Sequence, residues 1–137
     1  DNLQAGILNF RLKKLKKVIN TRRYNSNLYR RYLNSKNVFV PQEKIQEFNT
    51  YHTFVIQVKN RDKLKKFLKK KSINTSIHYP IPIHLQPAAK RFGYKKGDFP
   101  VTENQSSQIL TLPINQFTTH KQIKYICGII NKFYNNS

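Results

Sequence analysis

The apolar residues in the first quarter of the chain recur every three or four positions, which is the spacing of one face of an α-helix. The pattern follows Asp1, whose carboxylate suits a helix N-cap, and no proline interrupts it before Leu33. It predicts one long helix, or two nearly collinear helices, over residues 1–33. Because a helix rises about 1.5 Å per residue, the run would measure roughly 50 Å. That length exceeds what a small domain needs, so we expect it to connect to something outside this chain.

Alternating apolar and polar residues in the rest of the chain predict a small sheet. The second predicted strand is the clearest, because Phe54, Ile56 and Val58 all fall on one face. Pro41 ends the first strand and Pro113 ends the pairing of the last, since proline has no N–H to donate. The predicted strands cover residues 38–40, 51–59, 73–79 and 110–114.

Helical spacing returns between and after these strands. Asn60 is predicted to cap a helix over residues 61–71, which buries Leu64, Phe67 and Leu68 and joins its two flanking strands into a compact crossover unit. The other predicted elements are turns at 34–37 and 97–100, a helix over 86–92 closed by Gly93, a helix over 102–108 capped by Thr102, and a last helix from Thr118 or Thr119 to about residue 135, with Ile123, Ile126, Cys127, Ile130, Phe133 and Tyr134 inside. The fold class is therefore α+β, with a long N-terminal helix and a small mixed or antiparallel sheet that has helices packed on one side.

The charge balance is strongly basic, with 26 Lys and Arg against 6 Asp and Glu and a formal net charge of +20. Such a charge attracts polyanions and anionic ligands, although a coding bias toward lysine explains it equally well. Basic residues interleave with Tyr24, Tyr29 and Tyr32 on the first helix, where they could contact phosphates and stack on bases. An ordinary solvated helix face fits the same residues. A nucleic-acid-binding module stays open as an alternative, although no known module is legible.

The single cysteine, Cys127, excludes an internal disulfide. Its place in an apolar helical pattern indicates a small core residue rather than a nucleophile. A lone cysteine favours a reducing compartment, so we expect a cytoplasmic protein. No apolar run approaches membrane-spanning length and no signal peptide is visible. The chain has no methionine, and we interpret it as a piece of a longer polypeptide.

Few arrangements that carry chemistry can be drawn from the sequence. The four histidines have no acidic or cysteine partner at the spacing of metal ligands, which argues against a metal site. The six carboxylates give no convincing general acid–base pair, and Ser106 and Ser107 lack the glycines of a nucleophile elbow. The four glycines form no phosphate-binding loop.

One segment stands out, residues 77–84 with the sequence IHYPIPIH; we call it the proline loop. Its two prolines fix their own φ angles and push the residues before them out of the helical region, which predicts a stiff, extended loop. Such a loop could hold the polar tips of His78, Tyr79 and His84 in fixed positions, as a binding site requires. A strand exit with prolines protecting a sheet edge explains the same residues, so both interpretations stay open.

Five short motifs, in order, resemble those of the DegT/DnrJ/StrS aminotransferases. They are LQAGIL at 3–8 with the basic helix and Arg22-Arg23, YHTFV at 51–55, RDKL at 61–64 with Leu68 and INT at 73–75, HYPIPIH at 78–84, and LTLPI at 110–114 with Thr118. Together they cover essentially the whole chain. Ser72 stands where the family usually has glycine, Gly6 where it has a second alanine, and residues 115–117 lack a common proline. These departures lie outside the proline loop.

The resemblance implies the C-terminal small domain of such an enzyme, with residues 1–33 as the linking helix, residues 34–137 as an α+β subdomain, and the large cofactor-binding domain absent. The parent would use pyridoxal phosphate to move an amino group from an amino acid, typically glutamate, to a nucleotide-linked keto-sugar, and would be a homodimer. The family's Schiff-base lysine lies in an upstream segment that no lysine here matches. The resemblance therefore implies no catalytic residue in this chain, which alone would be inactive.

The family's proline loop faces the active-site entrance, so His78, Tyr79 and His84 are implied to contact the sugar or its diphosphate. Their ring nitrogens and hydroxyl are also suited to donating to phosphate oxygens. Two alternatives stay open at this point. One is the nucleic-acid-binding module, and the other is a pseudo-enzyme or scaffold domain that kept the fold without the chemistry.

Overall fold

The computed structural model describes residues 1–34 and 36–135, which form helices around a small sheet. The predicted turn at 34–37 includes Ser35, which lies outside the described residues. The α-helices are α1 (Asn2–Leu12), α2 (Leu15–Tyr32), α3 (Arg61–Lys70), α4 (Pro100–Gln108) and α5 (His120–Asn135), the strands are β1 (Val38–Phe39), β2 (Phe54–Val58) and β3 (Ile109–Leu112), and short 3₁₀-helices cover Ile83–Leu85 and Pro87–Phe92. This arrangement confirms the predicted α+β class.

The N-terminal run forms two helices, which is one of the two predicted arrangements. Asp1 caps α1 as expected, because its carboxylate accepts the backbone N–H of Gln4 at 3.0 Å. The helical run breaks at Lys13 and Lys14, between α1 and α2. Helix α1 buries none of its residues, so the core begins only with α2. None of the helices of the described residues is both long and apolar enough to cross a bilayer.

The sheet is antiparallel, with β2 in the centre between β1 and β3. Val38 pairs with Val58 on one side of β2, and Phe54 pairs with Leu112 on the other. As predicted, Phe54, Ile56 and Val58 share one buried face, and their exposed fractions are 2% or less. This face packs on a core from α2, α3 and α5 that includes Tyr29, Leu64, Leu68, Ile123, Cys127 and Ile130.

The strand predicted over residues 73–79 does not form. Ser76 alone pairs with Thr111, through N–H···O contacts of 3.2 and 2.8 Å. Two residues back along the segment, Asn74 would need to accept an N–H from Pro113, which has none. In the other direction, the carbonyl of Ile109 already accepts the Arg61 guanidinium at 3.1 Å. The predicted crossover unit is therefore wrong at its second strand.

Two predicted helix starts also need correction. Helix α4 begins at Pro100 with Phe99 as the cap rather than at Thr102, and proline suits a first helical position because that N–H needs no partner. Asn60 does precede α3, but with a left-handed φ of 54° and no side-chain cap bond. At α5, Thr119 is the cap: its hydroxyl accepts the N–H of Gln122 at 3.3 Å, and the Gln122 side chain accepts the Thr119 N–H at 2.8 Å.

Candidate functional site

The proline loop leaves the sheet edge beside β3 and ends in a 3₁₀-helix. It is extended at Pro82, with φ −53° and ψ 145°, and then turns into the 3₁₀-helix Ile83–Leu85. The backbone bends at residues 78, 80 and 81, so the predicted extended loop forms only in part, and His84 lies in the 3₁₀ turn beyond Pro82. The three predicted site residues consequently occupy two different local structures.

His78 is exposed but held at one ring nitrogen. Its Nδ1 lies 2.9 Å from the hydroxyl oxygen of Thr111, on β3. Thr111 points away from the core because its neighbours Leu110 and Leu112 are buried in the core on the opposite face, with exposed fractions of 0% and 1%. The Nδ1 contact thus fixes the ring against the outer face of the sheet.

Tyr79 presents its side chain to solvent, with an exposed fraction of 71%. Its ring meets that of His78 edge-on, with ring centroids 5.6 Å apart and planes at 85°. His78 and Tyr79 therefore form one exposed unit with an imidazole and a phenol side by side. Both groups can donate or accept a hydrogen bond.

His84, unlike His78 and Tyr79, is largely buried and bound to another element. Its Nε2 lies 3.0 Å from the carboxylate of Glu103 in α4, and its side chain is only 8% exposed. Its ring also packs on Phe99, at a centroid distance of 4.7 Å. The pKa of Glu103 lies below the ordinary carboxyl value, first because Gly97 donates its backbone N–H and then because His84 contacts the same carboxylate. His84 therefore links the proline loop to α4.

Sequence reasoning missed Thr111 and Glu103 as partners of this loop. They lie 33 residues from His78 and 19 residues from His84, respectively, so local spacing could not pair them. One signal was available for Thr111, which is a polar residue between two apolar residues of a predicted strand. Alternation places its hydroxyl on the outer face of the sheet.

A second polar cluster joins α2 to the segment between β1 and β2. Arg23 binds the carboxylate of Glu43 at 2.7 and 3.1 Å, and the Tyr51 hydroxyl donates to it at 3.1 Å. The hydrogen bond from Arg23 is the main cause that lowers the pKa of Glu43 to about 2. Arg22 donates to the Tyr51 carbonyl at 3.1 Å. Arg22 and Arg23 thus hold this segment against α2, which neither a solvated helix face nor a phosphate-binding face accounts for.

A groove of about 890 Å³ runs along α1 and α2 toward Phe117. Its apolar lining comes from Leu8, Leu12, Leu15 and Val18, and basic residues such as Arg11 and Lys14 also line it. None of its lining residues belongs to the proline loop. The groove and the proline loop are therefore separate surfaces.

The side chains of the described residues do not fit a pyridoxal phosphate site. A Schiff-base lysine is normally desolvated in a pocket, yet the lysines here are exposed, apart from the half-buried Lys65.

Cys127 is buried as predicted, and burial raises the pKa of its thiol to about 12, which removes it as a nucleophile at neutral pH. Within residues 1–34 and 36–135, no group of three or more His, Cys, Asp or Glu could hold a metal ion.

Comparisons with known proteins agree over nearly the whole chain. The chain is 33% identical, over 98% of its length, to 37% of a "Pleiotropic regulatory protein" from Geobacillus stearothermophilus. It is 29% identical, over 97% of its length, to 36% of the dTDP-3-amino-3,6-dideoxy-alpha-D-galactopyranose transaminase of Aneurinibacillus thermoaerophilus. It superposes with a TM-score of 0.91, at 27% identity, on S. venezuelae DesV in complex with a ketimine intermediate, covering 95% of this chain and 35% of that one.

The chain thus spans little more than a third of these relatives, at 37% and 36% of the two curated proteins. The comparisons give no support to the nucleic-acid-binding alternative. The family model for the DegT/DnrJ/EryC1/StrS aminotransferases matches residues 1–131, and the chain belongs to that family.

Proposed function

We propose that this chain is the C-terminal, substrate-facing part of an aminotransferase that moves an amino group from an amino acid, glutamate, to a nucleotide-linked keto-sugar. The observation that carries the proposal is the exposed pair His78 and Tyr79, held on a loop at the sheet edge. Relatives named as transaminases of dTDP-linked and UDP-linked sugars support the substrate class.

In this proposal the three loop residues divide the work. His78 and Tyr79 donate hydrogen bonds to oxygens of the sugar or its diphosphate, because their polar tips are accessible. His84 supports the loop through Glu103, since its Nε2 and most of its ring are already engaged. Of the three, His84 is therefore the residue whose direct contact with the substrate has the least support in the geometry.

The lysine that would bind pyridoxal phosphate, and the other groups that would hold this cofactor, would be residues beyond this chain. When bound in the whole enzyme, the cofactor supplies the electron sink for amino-group transfer. We expect the chain alone to be inactive and the whole enzyme to be a homodimer. After incubation with pyridoxal phosphate and borohydride, mass spectrometry is expected to find no stoichiometric adduct at one particular lysine. Such an adduct would contradict the assignment.

The binding role can be tested on the chain itself by NMR titration with dTDP-glucose. We expect saturable shifts of the His78 and Tyr79 signals. Replacing Tyr79 with phenylalanine removes one hydrogen bond and should weaken binding by about twofold to tenfold. The matched control is Tyr24→Phe, because Tyr24 is a similarly exposed tyrosine, at 58%, on α2.

Two outcomes would count against the proposal. Equal affinities of the Tyr79→Phe and Tyr24→Phe variants would remove Tyr79 from the binding surface. Shifts spread over the exposed lysines of α3, and lost at about 0.15 M salt, would indicate general attraction of an anion to a basic surface.

A further inference from the structure

Thr111 is the point where β2, Ser76 and the proline loop meet. Its backbone pairs with Val55 of β2 on one side and with Ser76 on the other, where the N–H···O distances are 3.2 and 2.8 Å. Leu110 and Leu112 on either side are almost fully buried. A residue held in this way cannot slip in register, so its hydroxyl is a fixed point on the outer face of the sheet.

That fixed hydroxyl contacts one nitrogen of the His78 ring and leaves the other to solvent. The Nδ1–Oγ1 distance is 2.9 Å. His78 is exposed, and within the described residues its Nε2 has no recorded partner. Which nitrogen of a neutral imidazole carries the proton is set by the hydrogen bond that the other nitrogen makes. The identity of the donor in the Thr111–His78 contact therefore decides what a ligand meets at Nε2.

The burial of Thr111 indicates the direction of this hydrogen bond. Thr111 is only 8% exposed, and a buried hydroxyl proton needs an acceptor. His78 Nδ1 is the one partner recorded for Oγ1 among the described residues. If Nδ1–H donated to Oγ1, the hydroxyl proton would be left without an acceptor. A hydroxyl that donates to an unprotonated Nδ1 satisfies both atoms.

We propose that Thr111 is a positioning residue that donates to His78 Nδ1, holds the neutral ring in the Nε2–H tautomer, and so presents an N–H donor outward. This inference rests on the proposed function, in which His78 meets a nucleotide-linked sugar. The diphosphate oxygens of such a ligand only accept hydrogen bonds, and its hydroxyls can accept them. A ring fixed with Nε2–H outward therefore matches the ligand, whereas the opposite tautomer would face the diphosphate with an acceptor.

The tautomer can be measured without a ligand, by long-range proton–nitrogen NMR of the histidine rings in the full chain at alkaline pH. We expect the Nε2–H pattern for His78 in the unaltered protein. Thr111→Val keeps the shape but removes the hydroxyl, so His78 should become a mixture of tautomers. Thr111→Ser keeps the hydroxyl and should restore the single tautomer. His120, whose Nε2 lies 2.9 Å from the Tyr32 hydroxyl, is the internal control and should not change.

An Nδ1–H pattern for His78 in the unaltered chain would overturn the proposal, and that result needs no variant to fold. An unchanged tautomer in a folded Thr111→Val variant would overturn it as well. A dTDP-glucose titration then separates the two proposals: Thr111→Val should bind about threefold to tenfold more weakly, and Thr111→Ser within about twofold of the unaltered chain. If dTDP-glucose shifts no His78 signal in any variant, the proposed function fails, while the tautomer result still decides the role of Thr111.

Discussion

Glu43 is a single carboxylate that joins α2 to the segment between β1 and β2, through Arg23 on one side and Tyr51 on the other. Its pKa falls from 4.5 to about 2, chiefly through the Arg23 hydrogen bond, so the folded state favours the charged form. The resulting stabilisation is complete above about pH 4.5 and is lost as the pH falls toward about 2. Glu43→Gln removes this contribution. We expect a lower melting temperature at neutral pH, and a difference from the unaltered chain that narrows as the solution is acidified.

Thermal unfolding followed by circular dichroism over a pH series measures this effect. Glu47→Gln is the matched control, because the Glu47 carboxylate accepts a local backbone N–H, from Lys44 at 3.0 Å. It should change the melting temperature much less than Glu43→Gln. A difference between Glu43→Gln and the unaltered chain that stayed constant down to pH 2 would show that the Glu43 charge is not the source of the stabilisation.

At the scale of elements, the contact between His84 and Glu103 joins the 3₁₀-helix Ile83–Leu85 to α4. His84→Ala removes this contact and the packing on Phe99. We therefore expect faster amide hydrogen exchange in residues 83–92 and at the start of α4, with the sheet unaffected. His120→Ala is the control, because His120 contacts Tyr32 and should alter exchange only at the start of α5 and the end of α2. Unchanged exchange around residue 84 would mean that other contacts hold the loop.

The cap of α5 gives a second prediction for an element. Thr119 and Gln122 satisfy each other's backbone N–H groups at the start of this helix. Thr119→Ala should therefore destabilise the fold by about 1 kcal/mol. Thr102→Ala is the informative control, because Thr102 lies inside α4 and not at its cap. Urea unfolding should give a change within about 0.5 kcal/mol for Thr102→Ala, and equal losses for both variants would contradict the cap assignment.

The elements also show why local patterns succeed in some segments and fail in others. Residues 54–58 form a strand as predicted because their alternation matches a sheet face buried against the core. Residues 73–79 also alternate, with Ile73 and Ile77 on one face and polar residues on the other, but a strand also needs an available partner edge. Pro113 offers no N–H at one end of that edge, and at the other end the Ile109 carbonyl is engaged by Arg61, 48 residues away. No local pattern contains this information.

At the scale of the whole molecule, the fold was largely predictable and the site only partly so. Helical and alternating patterns predicted the α+β class, because each element buries one regular face. The proline loop was recognisable from its own composition. The way its residues are used was not, because Thr111 and Glu103 reach His78 and His84 only after the chain has folded. The sequence did not distinguish His78, Tyr79 and His84. The tertiary contacts leave His78 and Tyr79 exposed and bind His84 to Glu103.

The net charge of +20 also acts on the molecule as a whole. Like charges on a compact chain repel one another, and salt screens this repulsion over a Debye length of about 10 Å at 0.1 M. We therefore expect the melting temperature to rise when sodium chloride is increased from about 0.02 M to about 0.5 M. A double variant, Lys63→Gln with Lys66→Gln, removes two exposed charges of α3. It should melt at a higher temperature in low salt and depend less on salt.

A melting temperature that falls with salt would instead show that attractive ion pairs, such as Arg23 with Glu43, outweigh the repulsion. The same measurement sets the conditions for every binding test. Because 26 basic residues attract any anion at low salt, a nucleotide-linked sugar will associate with this surface whether or not the proline loop recognises it. Evidence for a specific binding site is therefore limited to the affinity that remains at about 0.15 M salt and that depends on His78 or Tyr79.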